Sequence, residues 1–260
     1  MNTISAVFTD LDGTLFKSDK TVSQFTIDML VKCRNKGIPV IIATARPERV
    51  VATYKELSMA SALITLNGAC IKLPNNKVLS YGFKHDEGIA LLKKYLEHKN
   101  LSITVETSAG IYGNVSIPEW GITGRDDFVN VIAKEDLYKI LISSQDKNIC
   151  IEDVVSQTIK SLGLDESVYY SVAEGWLYQI MSRNTTKWNG AKAVLRELGV
   201  EPEAAIYFGD DNDDLECVSN MGLGVAMGNG VESVLKAAKE IAPTNDEDGV
   251  GVTLQKYLLM

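Results

Sequence analysis

A chain of 260 residues can form one large domain or two smaller ones with a substantial core in either case. Its 45% hydrophobic and 23% charged residues are a globular composition that excludes disorder, and a net charge of −8 disfavours nucleic acid and anionic membranes as partners. No apolar run approaches the roughly 20 residues of a membrane span, and the start MNTISAVF lacks the basic and apolar regions of a secretory leader.

In chain order, ISAVF (4–8) reads as a buried strand, and a helical pattern near 22–36 follows it. Val22, Phe25, Met29, Leu30 and Cys33 share one face of that helix, and Gly37 is its stop. IPVIIA (38–43) is the next strand, PERVVATYKELS a helix with Pro47 as an opening helical residue, and ALITL (62–66) a third strand. Near the C-terminal end the pattern returns: GAKAVLRELG as a helix, AAIYF (204–208) as a strand, then LGVAM (223–227). Short apolar runs alternating with helices predict a parallel sheet with crossover helices. The middle differs. LSITVET, IYGNVSI, YKILISS, VYYSVA and LYQIMS alternate with a period of two, which suits an antiparallel sheet covered on one face by helices near 87–99 and 151–162. The expected fold class is α/β, a Rossmann-like parallel-sheet core (1–82 and 185–260) with an inserted α+β domain (83–184).

Cys33, Cys70, Cys150 and Cys217 are scattered without CxxC spacing and fit reduced thiols in a cytoplasmic protein. The two histidines, His85 and His98, fall where a surface helix is expected, which argues against a Ser-His-Asp triad or a histidine-rich metal site.

The polar residues fall just after the core strands. Thr9-Asp10-Leu11-Asp12 follows the first strand, Thr44-Ala45-Arg46 the second, Asn67-Gly68 the third, and Gly209-Asp210-Asp211 the AAIYF strand. In an open parallel sheet these carboxyl ends share one edge, where ligands bind. Asp10 and Asp12 then meet Asp210, Asp213 and Asp214 there. Like charges so close raise one another's pKa unless a cation compensates, and a hard ion with oxygen ligands, Mg²⁺ by preference, suits them. Thr44, Arg46 and Lys187 add hydroxyl, guanidinium and ammonium donors, which together describe a phosphate site. With the backbone turning between Asp10 and Asp12, one carboxylate can attack phosphorus while the other serves the leaving oxygen. Gly13 permits the sharp turn and Thr14 can fasten the loop.

DLDGTL, ATAR, Lys187 and GDDNDD, in that order, together with NGA at 67–69 and EDGV at 247–250, resemble the haloacid dehalogenase superfamily, and within it the Cof-type sugar-phosphate phosphatases with a class II (C2B-like) cap. The resemblance spans the whole chain. It implies Asp10 as nucleophile and metal ligand, and Asp12 as acid/base with its carbonyl on Mg²⁺. It further implies Thr44 and Lys187 on the phosphoryl group, Arg46 and Asn67 on the substrate, and Asp210 with Asp214 at the metal, directly or through water. Cap placement agrees: residues 13–43 are too few for a cap between the first two motifs, while 47–186 leave ample room. Three positions depart from the family pattern: Ala45 where glycine is usual, Trp188 where glycine follows the lysine, and Asp213 where asparagine is usual.

The expected function is Mg²⁺-dependent hydrolysis of a small phosphorylated metabolite, sugar phosphates first, through an aspartyl-phosphate. The alternatives are a phosphotransferase or phosphomutase on the same scaffold, and a non-catalytic sugar-phosphate sensor. Thr44 could instead cap a helix ahead of Pro47, Arg46 could be a surface ion-pair partner, and Trp120, Arg125 and Trp176 are specificity candidates in the cap. Oligomeric state is not legible.

Overall fold

The computed structural model describes residues 4–173 and 175–258. Two compact units emerge, one from residues 1–79 and 186–260, the other from the continuous stretch 80–185. The first begins with strand β1 (Ala6–Thr9), helix α1 (Gln24–Asn35), β2 (Val40–Ala43) and the short helix α2 (Glu48–Val51), then β3 (Ala62–Thr65), β4 (Cys70–Lys72) and β5 (Val78–Ser80). The inserted unit contains α3 (His85–Tyr95), β6 (Ser102–Thr107), β7 (Gly110–Gly113), α4 (Phe128–Val131), β8 (Leu137–Ser143), α5 (Ile151–Ser161), β9 (Val168–Ala173) and β10 (Leu177–Ser182). The chain then returns with α6 (Lys187–Leu198), β11 (Ala205–Gly209), α7 (Leu215–Asn220), β12 (Leu223–Ala226), α8 (Glu232–Ala237), β13 (Glu240–Ile241) and α9 (Gly249–Leu258).

The larger sheet runs β13-β12-β11-β1-β2-β3-β4-β5, parallel from β13 to β3 and antiparallel at β3–β4. Its central strands are buried on both faces, as their continuous apolar runs require. On one face Val7, Val40, Ile42, Ile206, Phe208 and Val225 pack with Met29 and Leu30 of α1 and with Val250 and Leu254 of α9. On the other, α6 crosses β3 at Gly190, where a β-carbon would come within 2.5 Å of Ile64 Cγ2. Ser23 caps α1 by accepting the Thr26 N–H, and Gly37 turns the chain out of it at φ +78°.

The inserted unit is a five-stranded antiparallel sheet, ordered β7-β6-β8-β10-β9, with a core of its own. Leu91, Leu92 and Tyr95 of α3 and Val155 and Ile159 of α5 meet Ile103, Val105, Ile140, Ile142 and Ile180 of the strands. The period-two pattern thus marks alternate faces, as expected. No helix among the described residues is long and apolar enough to cross a membrane.

Two expected elements differ. PERVVATYKELS forms only the four-residue α2 and a 3₁₀ turn at Lys55–Met59, with Pro47 as its N-cap residue and not its first helical one. Tyr54 turns extended between them and stacks on Phe16, ring centroids 4.5 Å apart, a tertiary contact that overrides the local helical pattern. Thr44 therefore caps no helix. IYGNVSI is strand only up to Gly113, whose missing β-carbon admits the Ile103 carbonyl. His85 opens α3, whereas His98 lies beyond its end; the four cysteines are free thiols.

Candidate active site

The parallel register places the ends of β11, β1, β2 and β3 side by side, so Asp210, Asp10, Thr44 and Asn67 leave one sheet edge from adjacent strands. Asp10 is drawn onto the sheet by its N–H, which donates to Phe208 O at 3.0 Å, and its carbonyl accepts the Thr9 hydroxyl. The chain then reverses at Gly13 with φ +78°; a β-carbon there would lie 2.2 Å from Asp210 Oδ2, so only glycine fits. The next residue, Thr14, donates its hydroxyl to Asp210 Oδ1 at 2.6 Å. Asn229 Nδ2 donates to Gly13 O, and Asn245 Nδ2 to Phe16 O, so the loop is also fastened from the C-terminal side.

Lys187 opens α6 behind the N-cap Thr186, and its side chain is 2% exposed. It donates to Asp10 Oδ1 at 2.8 Å, Asp214 Oδ1 at 2.7 Å and Asp213 Oδ1 at 3.0 Å, using all three of its N–H bonds. Burial opposes the charge, but Asp10, Asp214 and Asp213 together hold its pKa well above the usual lysine range. For Asp10 burial dominates and pushes the carboxyl well above the usual range, with Lys187 pulling against it. Asp214 is fully buried. Its Oδ1 also accepts the Tyr207 hydroxyl at 2.6 Å, and its Oδ2 accepts the N–H groups of Asp210 and Asp211. Gly209 makes room for it, since a β-carbon there would press on the Asp214 side chain at 2.4 Å.

Asp12 lies outside this buried knot. Arg46 grips it in a fork, Nε to Oδ2 at 2.5 Å and Nη2 to Oδ1 at 2.7 Å, and Lys20 Nζ adds a bond to Oδ1 at 2.8 Å. Partial burial would raise the Asp12 pKa, but these cationic partners outweigh it and hold the carboxyl below its ordinary value. The guanidinium in turn sits over the rings of Phe16 and Tyr54, at 5.6 and 5.8 Å. Arg46 is thus placed on Asp12 and not free at the surface. Thr44 is buried, its Oγ1 accepting the Arg46 N–H, and its carbonyl accepts the Asn67 N–H at 3.0 Å. Asn67 is in the left-handed region at φ 58°, which suits asparagine, and its Nδ2 donates to Asp213 Oδ2 at 3.0 Å.

Carboxylate oxygens of Asp10, Asp210 and Asp214 fall within 4.8 Å of one another, a group able to hold a divalent metal ion. The donors are all hard oxygens, and burial pushes Asp210 up to about 6 and raises Asp10 as well; carboxylates in that condition gain most from an adjacent cation. Asp10 and Asp210 have oxygens to offer, whereas four protein donors already engage Asp214.

Of the three departures, Ala45 has no left-handed backbone angle and so needs no glycine. Trp188 lies on α6 beneath the Lys192 ammonium at 5.6 Å. Asp213 turns towards Lys187. In the inserted unit, Arg125 is paired with Asp127, Trp120 closes a 3₁₀ turn, and Trp176 is half exposed at the β9–β10 hairpin. Sequence reasoning missed Tyr207 and Lys20. The first had a signal: on a strand whose Ile206 and Phe208 face one core, a tyrosine between them faces the other and needs a partner for its hydroxyl. The spacing of Lys20 carries no such signal.

The family model described as haloacid dehalogenase-like hydrolase matches residues 7–254. Among curated proteins, 5-amino-6-(5-phospho-D-ribitylamino)uracil phosphatase YitU of Bacillus subtilis is 27% identical, the alignment covering 95% of each chain. Among solved structures, a haloacid dehalogenase-like hydrolase from Bacteroides thetaiotaomicron superposes with TM-score 0.85 at 26% identity, covering 98% of this chain and 99% of that one. A subclass IIB sugar phosphatase shares the fold at TM-score 0.77 and 19% identity, covering 98% and 100%. With the ordered motifs, the strand-end cluster of aspartates and a match over nearly its whole length, the chain belongs to the haloacid dehalogenase-like hydrolases.

Proposed function

We propose that this phosphatase hydrolyses monoesters of small phosphorylated metabolites, sugar phosphates first, through an aspartyl-phosphate on Asp10. The observation that carries the reading is the buried Lys187–Asp10 pair at the sheet edge beside Asp210. Lys187 occupies Asp10 Oδ1 and leaves Oδ2 as the attacking atom. In the first half-reaction Asp10 Oδ2 bonds to phosphorus, the bond from phosphorus to the ester oxygen breaks, and Asp12 delivers a proton to that oxygen. In the second, Asp12 takes a proton from water as the water oxygen displaces Asp10 and releases inorganic phosphate. Arg46 and Lys20 hold Asp12 ionised, which suits the second half; the first needs their grip relaxed by the arriving substrate. Thr44, Asn67, Lys187 and a released Arg46 are the groups we assign to the substrate. Mg²⁺ is the ion we assign, on Asp10, Asp210 and the Asp12 carbonyl, and when bound it offsets negative charge on the phosphoryl oxygens. Asp214 serves that site by fixing Lys187 and the Asp210 backbone.

The substrate class is supported by the printed activity of the Bacillus relative and by the sugar phosphatase of the same fold. A rapid acid quench with ³²P-labelled aryl phosphate tests the intermediate. Label should stay on the protein, and more of it in Asp12→Ala, where the second half-reaction stalls. A chain that turns substrate over while carrying no label, in either form, overturns the covalent route.

A further inference from the structure

Asp213 is the one carboxylate of the cluster for which the reaction leaves no use. Its geometry gives it one. Oδ1 accepts Lys187 Nζ at 3.0 Å and Oδ2 accepts Asn67 Nδ2 at 3.0 Å, so the two oxygens bridge two donors that stand ready for an anion. A carboxylate held in this way has the charge and the paired-oxygen shape of a phosphate edge.

The Lys187 ammonium has no fourth N–H to give. A phosphoryl oxygen can bond to it only when one of its three present partners withdraws. Asp214 is fully buried and held by three further donors, and Asp10 is the buried partner on which the reaction depends. Asp213 makes the longest of the three bonds, and its side chain is 34% exposed against 0% for Asp214 and 7% for Asp10. It is the partner with room to leave. Asn67, on its left-handed turn against α6, exchanges its Asp213 acceptor by the same movement.

We propose that Asp213 is a built-in competitor for phosphate: it occupies Lys187 and Asn67 in the resting protein and must be displaced when a phosphoryl group enters. The inference rests on the phosphate-site reading of Lys187. It makes Asp213 an affinity-setting residue, one that keeps the resting ammonium satisfied and weakens retention of the product phosphate.

The test is equilibrium binding of inorganic phosphate, by titration calorimetry in Mg²⁺, to the wild-type chain, Asp213→Asn and Asp211→Asn. The amide keeps an acceptor for Lys187 and removes the competing charge. Asp211 lies two residues away, exposed, and its variant makes the same charge change without touching Lys187. Asp213→Asn should tighten phosphate about tenfold, the size of one charge-assisted hydrogen bond set free, and lower the KM for an aryl phosphate in the same direction. Asp211→Asn should stay within about twofold, as expected of a screened surface charge. Unchanged, weaker or unmeasurable phosphate binding by Asp213→Asn overturns the proposal, as does equal tightening by Asp211→Asn. If phosphate tightens as expected but no variant hydrolyses the aryl ester, the proposal for Asp213 stands and the phosphatase reading falls.

Discussion

Tyr207 and Arg46 act on the two aspartates from opposite sides, one from within the sheet and one from the loop after β2. The Tyr207 hydroxyl is buried and donates to Asp214, which also carries Lys187. Tyr207→Phe removes that donor without changing the ring. It should cost about 1–2 kcal/mol in denaturant unfolding, as for any buried carboxylate deprived of a partner, and slow phosphate release severalfold. A variant as stable and as active as the wild type would show that the Asp214–Lys187 pair needs no such support. Arg46→Ala removes the fork that depresses the Asp12 pKa, so that pKa rises. As a base Asp12 must be ionised, and as an acid it must be protonated; in either role the limb it governs in the pH–rate profile moves to higher pH. A downward shift contradicts the assignment of that limb to Asp12. The cluster was legible because Asp10, Thr44, Asn67 and Asp210 each follow a recognisable strand. What the residues donate to was not: nothing in the spacing of ATAR says that Arg46 folds onto Asp12, and nothing in GDDNDD says that Asp213 turns to Lys187.

At the scale of the element, the turns that follow β1, β2, β3 and β11 carry the site, and glycines set how closely they approach. Gly68 shows this most sharply. At φ +100° its absent β-carbon leaves room for Thr186 O, which would otherwise be 2.2 Å away, and this contact seats the Asn67 turn on the start of α6. Gly68→Ala should therefore destabilise the chain by roughly 2–4 kcal/mol, combining a strained backbone with overpacking, as read by chemical denaturation. It should also raise the KM by shifting Asn67 and Lys187 apart; full stability would mean that the turn relaxes freely. Apart from IYGNVSI, the strands read from continuous or alternating apolar runs were placed to within a residue or two, because burial dictates their pattern, whereas the short β4, β5 and β13 carry no such run and were not read. α2 was overextended for the opposite reason. Its register looked helical, but the stacking of Tyr54 on Phe16, which no local pattern encodes, ends the helix after one turn.

On the scale of the whole molecule, the chain interrupts one fold to build another and then returns. The inserted stretch 80–185 is continuous in sequence and has its own buried cluster around Leu91, Tyr95, Val105, Ile140 and Val155. Expressed alone it should unfold cooperatively in denaturant, with circular dichroism of mixed α and β content; a non-cooperative, molten signal would mean that its core depends on the remainder. The change from runs of apolar residues to segments that alternate apolar with polar or aromatic residues is the signal in sequence for the inserted stretch. Its edges were less visible, since the crossings at 79–80 and 185–186 fall in extended chain with no compositional break.

The central claim is that a metal-assisted attack by Asp10 frees phosphate from a small ester. The most direct test is phosphate release from sugar phosphates, nucleotides and an aryl phosphate, with Mg²⁺ or with chelator, by the wild type and by Asp10→Asn. Release that requires Mg²⁺ and falls at least a thousandfold in Asp10→Asn, an effect of the order expected when a nucleophile is removed, is the predicted result. Release that persists in the folded variant, or none from any ester by the folded wild type with Mg²⁺ present, would contradict it.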